Sequence, residues 1–61
     1  MFVLERESMF GKVYYCQHSK YAYTNEVDSI ADATKYTTSD EALEKARELR
    51  KYGEHYKVIR I

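Results

Sequence analysis

Sixty-one residues, with ten Lys and Arg against ten Asp and Glu, no Pro, two Gly and one Cys, fit one small domain spanning residues 1–61, since a chain this short buries only about 60 % of its unfolded surface. The lone cysteine excludes an internal disulfide and favours a reducing, cytoplasmic setting, and no apolar run approaches the roughly 20 residues that span a bilayer. At 44 % hydrophobic and 33 % charged the composition is too apolar for a disordered chain, while the zero net charge lacks the overall basic footprint of a dedicated duplex binder.

In chain order, residues 2–7 and 12–17 read as strands, with aromatic and β-branched residues flanking a turn at residues 8–11, and so predict a hairpin. Residues 21–24, Tyr-Ala-Tyr-Thr, extend the meander as a third strand. In residues 25–32, Val27 and Ile30 suggest a single helical turn or a packed loop, and residues 33–37 read as extended. Thr38-Ser39-Asp40-Glu41 then fits the capping box, in which the Thr38 hydroxyl and the Glu41 carboxylate each satisfy a backbone donor at a helix start. Ala42, Leu43, Ala46 and Leu49 follow at spacings of three and four as one narrow apolar stripe, with Glu41 and Lys45 as an i, i+4 ion pair. Gly53 supplies a left-handed stop. The small alanines suit a helix lying close against a sheet. Residues 56–61 form the last strand, with Tyr56, Val58 and Arg60 on one face and Lys57, Ile59 and Ile61 on the other. The expected fold is α+β: a small antiparallel sheet of three to four strands with one helix (about 38–52) packed on one face, in the order ββ(β)αβ.

The zero net charge is a cancellation. Residues 26–44 carry six acids against Lys35, a net of minus five, whereas residues 45–61 carry six bases against Glu48 and Glu54, a net of plus four. Acids near the helix start and bases near its end are what the macrodipole prefers. Glu26, Asp28 and Asp32 lie before the helix and require another reason.

Catalysis needs convergent acids, bases and nucleophiles, and the strongest candidates at neutral pH are Cys16, His18 and His55. Cys16 and His18 would share one face of a strand, as a dyad or two metal ligands do. A structural zinc site wants four ligands, however, and only the distant His55 remains. Gly11 and Gly53 are isolated and form no phosphate-cradling loop. The expectation is a non-enzymatic protein with no catalytic residue, no metal and no cofactor.

Seven tyrosines are the strongest compositional signal, since tyrosine joins a rigid apolar ring to a polar tip. They serve either as core aromatics of a small sheet or as a binding surface. Residues 10–15, Phe-Gly-Lys-Val-Tyr-Tyr, partly follow an RNA-recognition strand motif, although Ser8, Met9 and Lys12 stand where a basic residue, a glycine and a second aromatic belong.

Ala33-Thr-Lys-Tyr36, residues 38–42, Leu49 and residues 58–61 together resemble small accessory proteins of phages and prophages of Gram-positive bacteria. Those proteins read as a hairpin, an "A-x-K-aromatic" strand, a "T/S-x-x-E-A" helix and a closing "V-x-x-I" strand. The resemblance covers most of the chain and implies a phage product that acts in the host cytoplasm by binding and blocking or redirecting a host or defence protein. It brings no catalytic residues.

The leading expectation is therefore a protein-binding module. Its acidic residues Glu26, Asp28 and Asp32 would steer a basic partner, while Tyr21 and Tyr23 anchor it. The alternative is a single-stranded nucleic-acid module using Phe10, Lys12, Tyr15 and Lys20 with the basic C-terminal segment. A homodimer paired through the final strand or the hairpin edge would bury apolar surface that one chain leaves open.

Overall fold

Met9 and Phe10 turn the chain between strands β1 (Phe2–Ser8) and β2 (Gly11–Tyr15) in the computed structural model, which describes residues 1–17 and 25–61. The Ser8 hydroxyl holds the turn, accepting from the Phe10 N–H at 3.2 Å and donating to the Gly11 carbonyl at 2.7 Å. Met9 and Phe10 keep negative φ, and the left-handed step falls on Gly11 at φ 112°, where a side chain would be strained.

β1 is a central strand. It pairs antiparallel with β2 on one side, from Ser8↔Gly11 to Glu5↔Tyr14, and with β4 (Lys57–Arg60) on the other, from Glu5↔Lys57 to Phe2↔Arg60. A two-residue strand, β3 (Glu26–Val27), covers the outer side of β2, giving the order β3-β2-β1-β4. The expected α+β fold is thus present. The third strand observed is β3, and the expected strand at residues 21–24 lies outside the described residues. β3 covers the outer side of β2 only at Tyr14 and Tyr15, so the outer sides of β4 and of β2 at residues 11–13 are sheet edges without a partner strand among the described strands.

Alternation along β1 sends Leu4 to one face and Val3 to the other, and both are wholly buried because both faces are covered. On the first face Leu4 and Tyr15 pack with Ala42 and Leu49 of the helix α1 (Ser39–Arg50), with Phe2, Tyr36, Tyr56 and Val58 around them. On the second, Val3, Tyr14, Cys16 and Val27 pack with Ala33, and Ile59 joins them. Val58 and Ile59 therefore face opposite sides, as the alternation predicts. Burying side chains of this size stabilises by about 1.5–3 kcal/mol each, which makes Val3 and Leu4 the centre of a small core.

α1 begins where the capping box places it. Thr38 is extended at φ −122°, and its hydroxyl accepts from the Glu41 N–H at 3.3 Å. The Glu41 carboxylate lies 3.2 Å from that same hydroxyl rather than on a backbone N–H. Ala42 is fully buried and brings the helix close to the sheet, whereas Leu43 is 43 % exposed and falls off the buried stripe. Lys45 does not pair with Glu41. It stands 5.6 Å from the centre of the Tyr15 ring and 3.4 Å from the carboxylate of Glu48, its i, i+3 neighbour. Gly53, at φ 85°, follows the helix end.

Between β3 and α1 the chain makes a 3-10 turn (Ile30–Asp32), the helical turn that Val27 and Ile30 suggest, although Val27 itself is in a strand. The Lys35 ammonium donates to the carbonyls of Ile30, Ala31 and Ala33 at 3.0–3.2 Å. Thr34 and Tyr36 then tie the segment to the sheet. The Thr34 N–H donates to the Tyr15 carbonyl at 3.0 Å, and Tyr36 exchanges two backbone hydrogen bonds with Phe2.

Candidate functional site

Glu26 was expected to face a partner, but its carboxylate is engaged within the fold. β3 pairs Glu26 with Tyr15 across the ladder, which directs it to the helix side of the sheet. There Arg6 donates in bidentate fashion, from Nε at 2.7 Å and Nη2 at 2.8 Å, and the Tyr56 hydroxyl donates at 2.6 Å. The bonds from Arg6 hold the Glu26 carboxyl below its ordinary pKa against the opposing effect of burial. Burial, reinforced by the bond to Glu26, pushes the Tyr56 hydroxyl well up, and the bond to Glu26 raises the Arg6 guanidinium. One carboxylate thus ties together β1, β3 and the residue before β4.

Asp28 and Asp32 are exposed and form no ion pair with a described residue. The one base in their stretch, Lys35, is turned onto backbone carbonyls, so both charges face solvent. Tyr21 and Tyr23, the aromatic anchors of the same expected surface, lie outside the described residues, as do Lys20 and His18. Of the residues assigned to base stacking, Tyr15 is 3 % exposed beneath α1, and its ring meets Tyr56 edge-on at 6.0 Å and 72°. Phe10 is 93 % exposed, and Lys12 is exposed 3.7 Å from Glu5. Cys16 is buried in the core beneath Ala33.

Among the described tyrosines the core takes most of the rings: Tyr14 and Tyr15 are buried, Tyr36 and Tyr56 are half-buried, and Tyr52 is exposed. The covered second face is the reason, because it gives Tyr14 as well as Tyr15 an interior.

Two surface features remain. The hairpin tip projects Met9, 89 % exposed, beside Phe10 on a turn fixed by Ser8. A groove of about 360 Å³ opens between α1 and the segment entering β4, with Leu43, Ala46 and Tyr56 as its apolar lining and Arg47, Arg50 and His55 as its polar one. The sequence signals both only weakly. Met9 and Phe10 occupy positions where a tight turn usually places Asn, Asp or Gly, and that departure was the available clue. Arg47 and Arg50 read as bases suited to a helix C-terminus, and only the return of the chain after Gly53 brings His55 to them.

No family model, curated protein or solved structure matches this chain. Among the described residues no helix is long and apolar enough to cross a membrane.

Proposed function

We propose that this chain is a non-enzymatic protein-binding module that engages a host or defence protein in the host cytoplasm and blocks or redirects it. One observation carries the reading: Met9 and Phe10 stand almost wholly in solvent at the tip of a hydrogen-bonded hairpin. In a 61-residue chain whose core needs every large apolar group, two such side chains outside it forgo about 1.5–3 kcal/mol of burial each. A partner pocket recovers that burial. The turn is already ordered by Ser8 and Gly11, so little conformational freedom is lost when the tip docks. Asp28 and Asp32, exposed and unpaired among the described residues, add long-range attraction for a partner with a basic surface. The resemblance to phage and prophage accessory proteins supports the choice of a host target.

The test is affinity capture from lysate of the bacterial host with mass-spectrometric identification, using the wild-type chain and the double variant Met9→Ser, Phe10→Ser. Both positions are exposed, so circular dichroism and melting temperature should hold. The expected result is a partner retained by the wild type and lost by the variant. Equal recovery by both chains would remove the hairpin tip as the anchor.

A further inference from the structure

The groove between α1 and the approach to β4 has the composition of a receptor for an acidic segment. Arg47 and Arg50 lie three residues apart on α1, about one helical turn, which places their side chains on the same flank. Neither guanidinium forms an ion pair or hydrogen bond with a described residue, although Arg6, Lys12 and Lys45 each do. His55, from the chain that returns after Gly53, adds a third polar group across the groove. Leu43 and Ala46, one turn earlier on the helix, and the half-buried Tyr56 supply an apolar floor.

The helix C-terminus contributes about half a negative charge at this end, which stabilises the two arginines but falls short of their two full positive charges. Glu54, whose charge acts on Tyr56, offsets a further part, and the remaining positive charge of the two guanidiniums attracts anions while the floor adds an apolar requirement. We infer that this groove binds an acidic protein segment, with an apolar side chain of the partner seated on Leu43 and Tyr56 and flanking Asp or Glu carboxylates paired to Arg47 and Arg50. This inference rests on the protein-binding reading and adds to it a second contact, of opposite charge to the Asp28 and Asp32 surface.

A nucleic-acid strand fits the groove less well. The Tyr56 ring is half-buried, packed edge-on against Tyr15 with its hydroxyl held by Glu26, so it is a fixed part of the groove floor rather than an exposed platform on which a base can stack. The same helix begins with Asp40, Glu41 and Glu44, all exposed, which repel a continuous phosphate backbone while leaving room for a short acidic segment. Carboxylate-bearing side chains also accept the bidentate geometry of arginine.

The experiment is an NMR titration of the ¹⁵N- and ¹³C-labelled full chain with three end-blocked probes: the hexapeptide Glu-Asp-Leu-Glu-Leu-Glu, its Gln-Asn-Leu-Gln-Leu-Gln counterpart, and a ten-nucleotide oligothymidine. The expected result is saturable shifts of the Leu43 methyls and the Arg47 and Arg50 Nε–H signals with the acidic peptide, and binding about tenfold weaker with the amide peptide. Arg47→Gln with Arg50→Gln, which keeps the helix, should weaken the acidic peptide by a similar factor, and Leu43→Ser should weaken it several-fold. The inference is overturned by absence of shifts, by equal binding of the acidic and amide peptides, or by unchanged binding to the double arginine variant. Oligothymidine binding that matches or exceeds the acidic peptide and depends on the same arginines would also overturn it, in favour of a nucleic-acid groove. Host-partner capture that depends on Met9 and Phe10 but survives loss of the arginines would leave the protein-binding reading standing while the groove failed.

Discussion

Replacing Glu26 by Gln leaves the shape of the side chain but removes its charge and turns one of its two acceptor oxygens into a donor, so the three-bond Arg6–Glu26–Tyr56 bridge cannot be kept intact. In a buried setting a hydrogen bond to a charged group stabilises by about 1.5–3 kcal/mol, but the Arg6 side chain is 34 % exposed and Glu26 18 %, so solvent reduces the bidentate pair to about 1 kcal/mol. The bond from Tyr56, shielded beneath the helix, adds about 1 kcal/mol. Glu26→Gln should therefore cost about 2 kcal/mol, which in a domain of this size lowers the melting temperature by roughly 8–16 °C. Urea unfolding followed by circular dichroism at pH 7 measures the cost, and a double-mutant cycle with Arg6→Met isolates a coupling of about 1 kcal/mol for the ion pair. The pH dependence carries the same signature. The Glu26 pKa is lowered in the folded chain, so its contribution is complete above the ordinary carboxylate pKa of 4.5 and is lost as pH falls through the lower folded value. The glutamine variant should lose less stability than the wild type below that pH. A variant with an unchanged urea midpoint at pH 7, or a coupling indistinguishable from zero, would refute the reasoning that this bridge holds β3 to the sheet.

Three further outcomes follow from the packing. Leu4→Ala, at a wholly buried position on the central strand, should cost about 2–5 kcal/mol and leave much of the chain unfolded at 37 °C, as read from the far-ultraviolet spectrum. Tyr36 has a buried hydroxyl with no hydrogen-bond partner among the described residues, so Tyr36→Phe should raise stability by about 1 kcal/mol in urea titration. Burial pushes the Tyr36 pKa up to about 12 and raises that of Tyr56 as well, so stability should be flat to about pH 10 and then decline as unfolded tyrosines ionise first. In thermal melts between pH 9 and 12 the decline should be shallower for Tyr36→Phe.

The parts of the fold that local rules control were legible. The capping box set the start of α1, the turn between two aromatic strands set the hairpin, and alternation assigned Val58 and Ile59 to opposite faces. What escaped was decided by contacts between distant segments. Lys45 lies over the Tyr15 ring and beside Glu48 rather than Glu41, and its contact with the ring follows from the docking of the helix on the sheet, which no pattern within the helix encodes. Tyr14 became interior because Ala33 covers the second face. Glu26 looked like a surface acid because its partners, Arg6 and Tyr56, are 20 and 30 residues away. The groove was hidden for the same reason. Arg47, Arg50 and His55 each had a local explanation, and only the closure of the chain after Gly53 makes them neighbours.

The central position of β1 also dictates the order in which the sheet can assemble. Its pairing with β2 spans a two-residue turn and can form on the microsecond scale of a hairpin, whereas its pairing with β4 joins residues more than fifty positions apart and must first overcome the entropy of closing that loop. Both strands of the hairpin are complete in the growing chain by residue 15, more than forty residues before β4 is added. In that interval one side of β1 is an unpaired edge that carries Val3 and Leu4, the two most buried side chains of the finished fold. The hazard for this chain is thus concentrated in the time between emergence of the hairpin and arrival of β4. Slowing translation between β2 and β4 would lengthen that exposure and favour aggregation without altering a single contact of the native state.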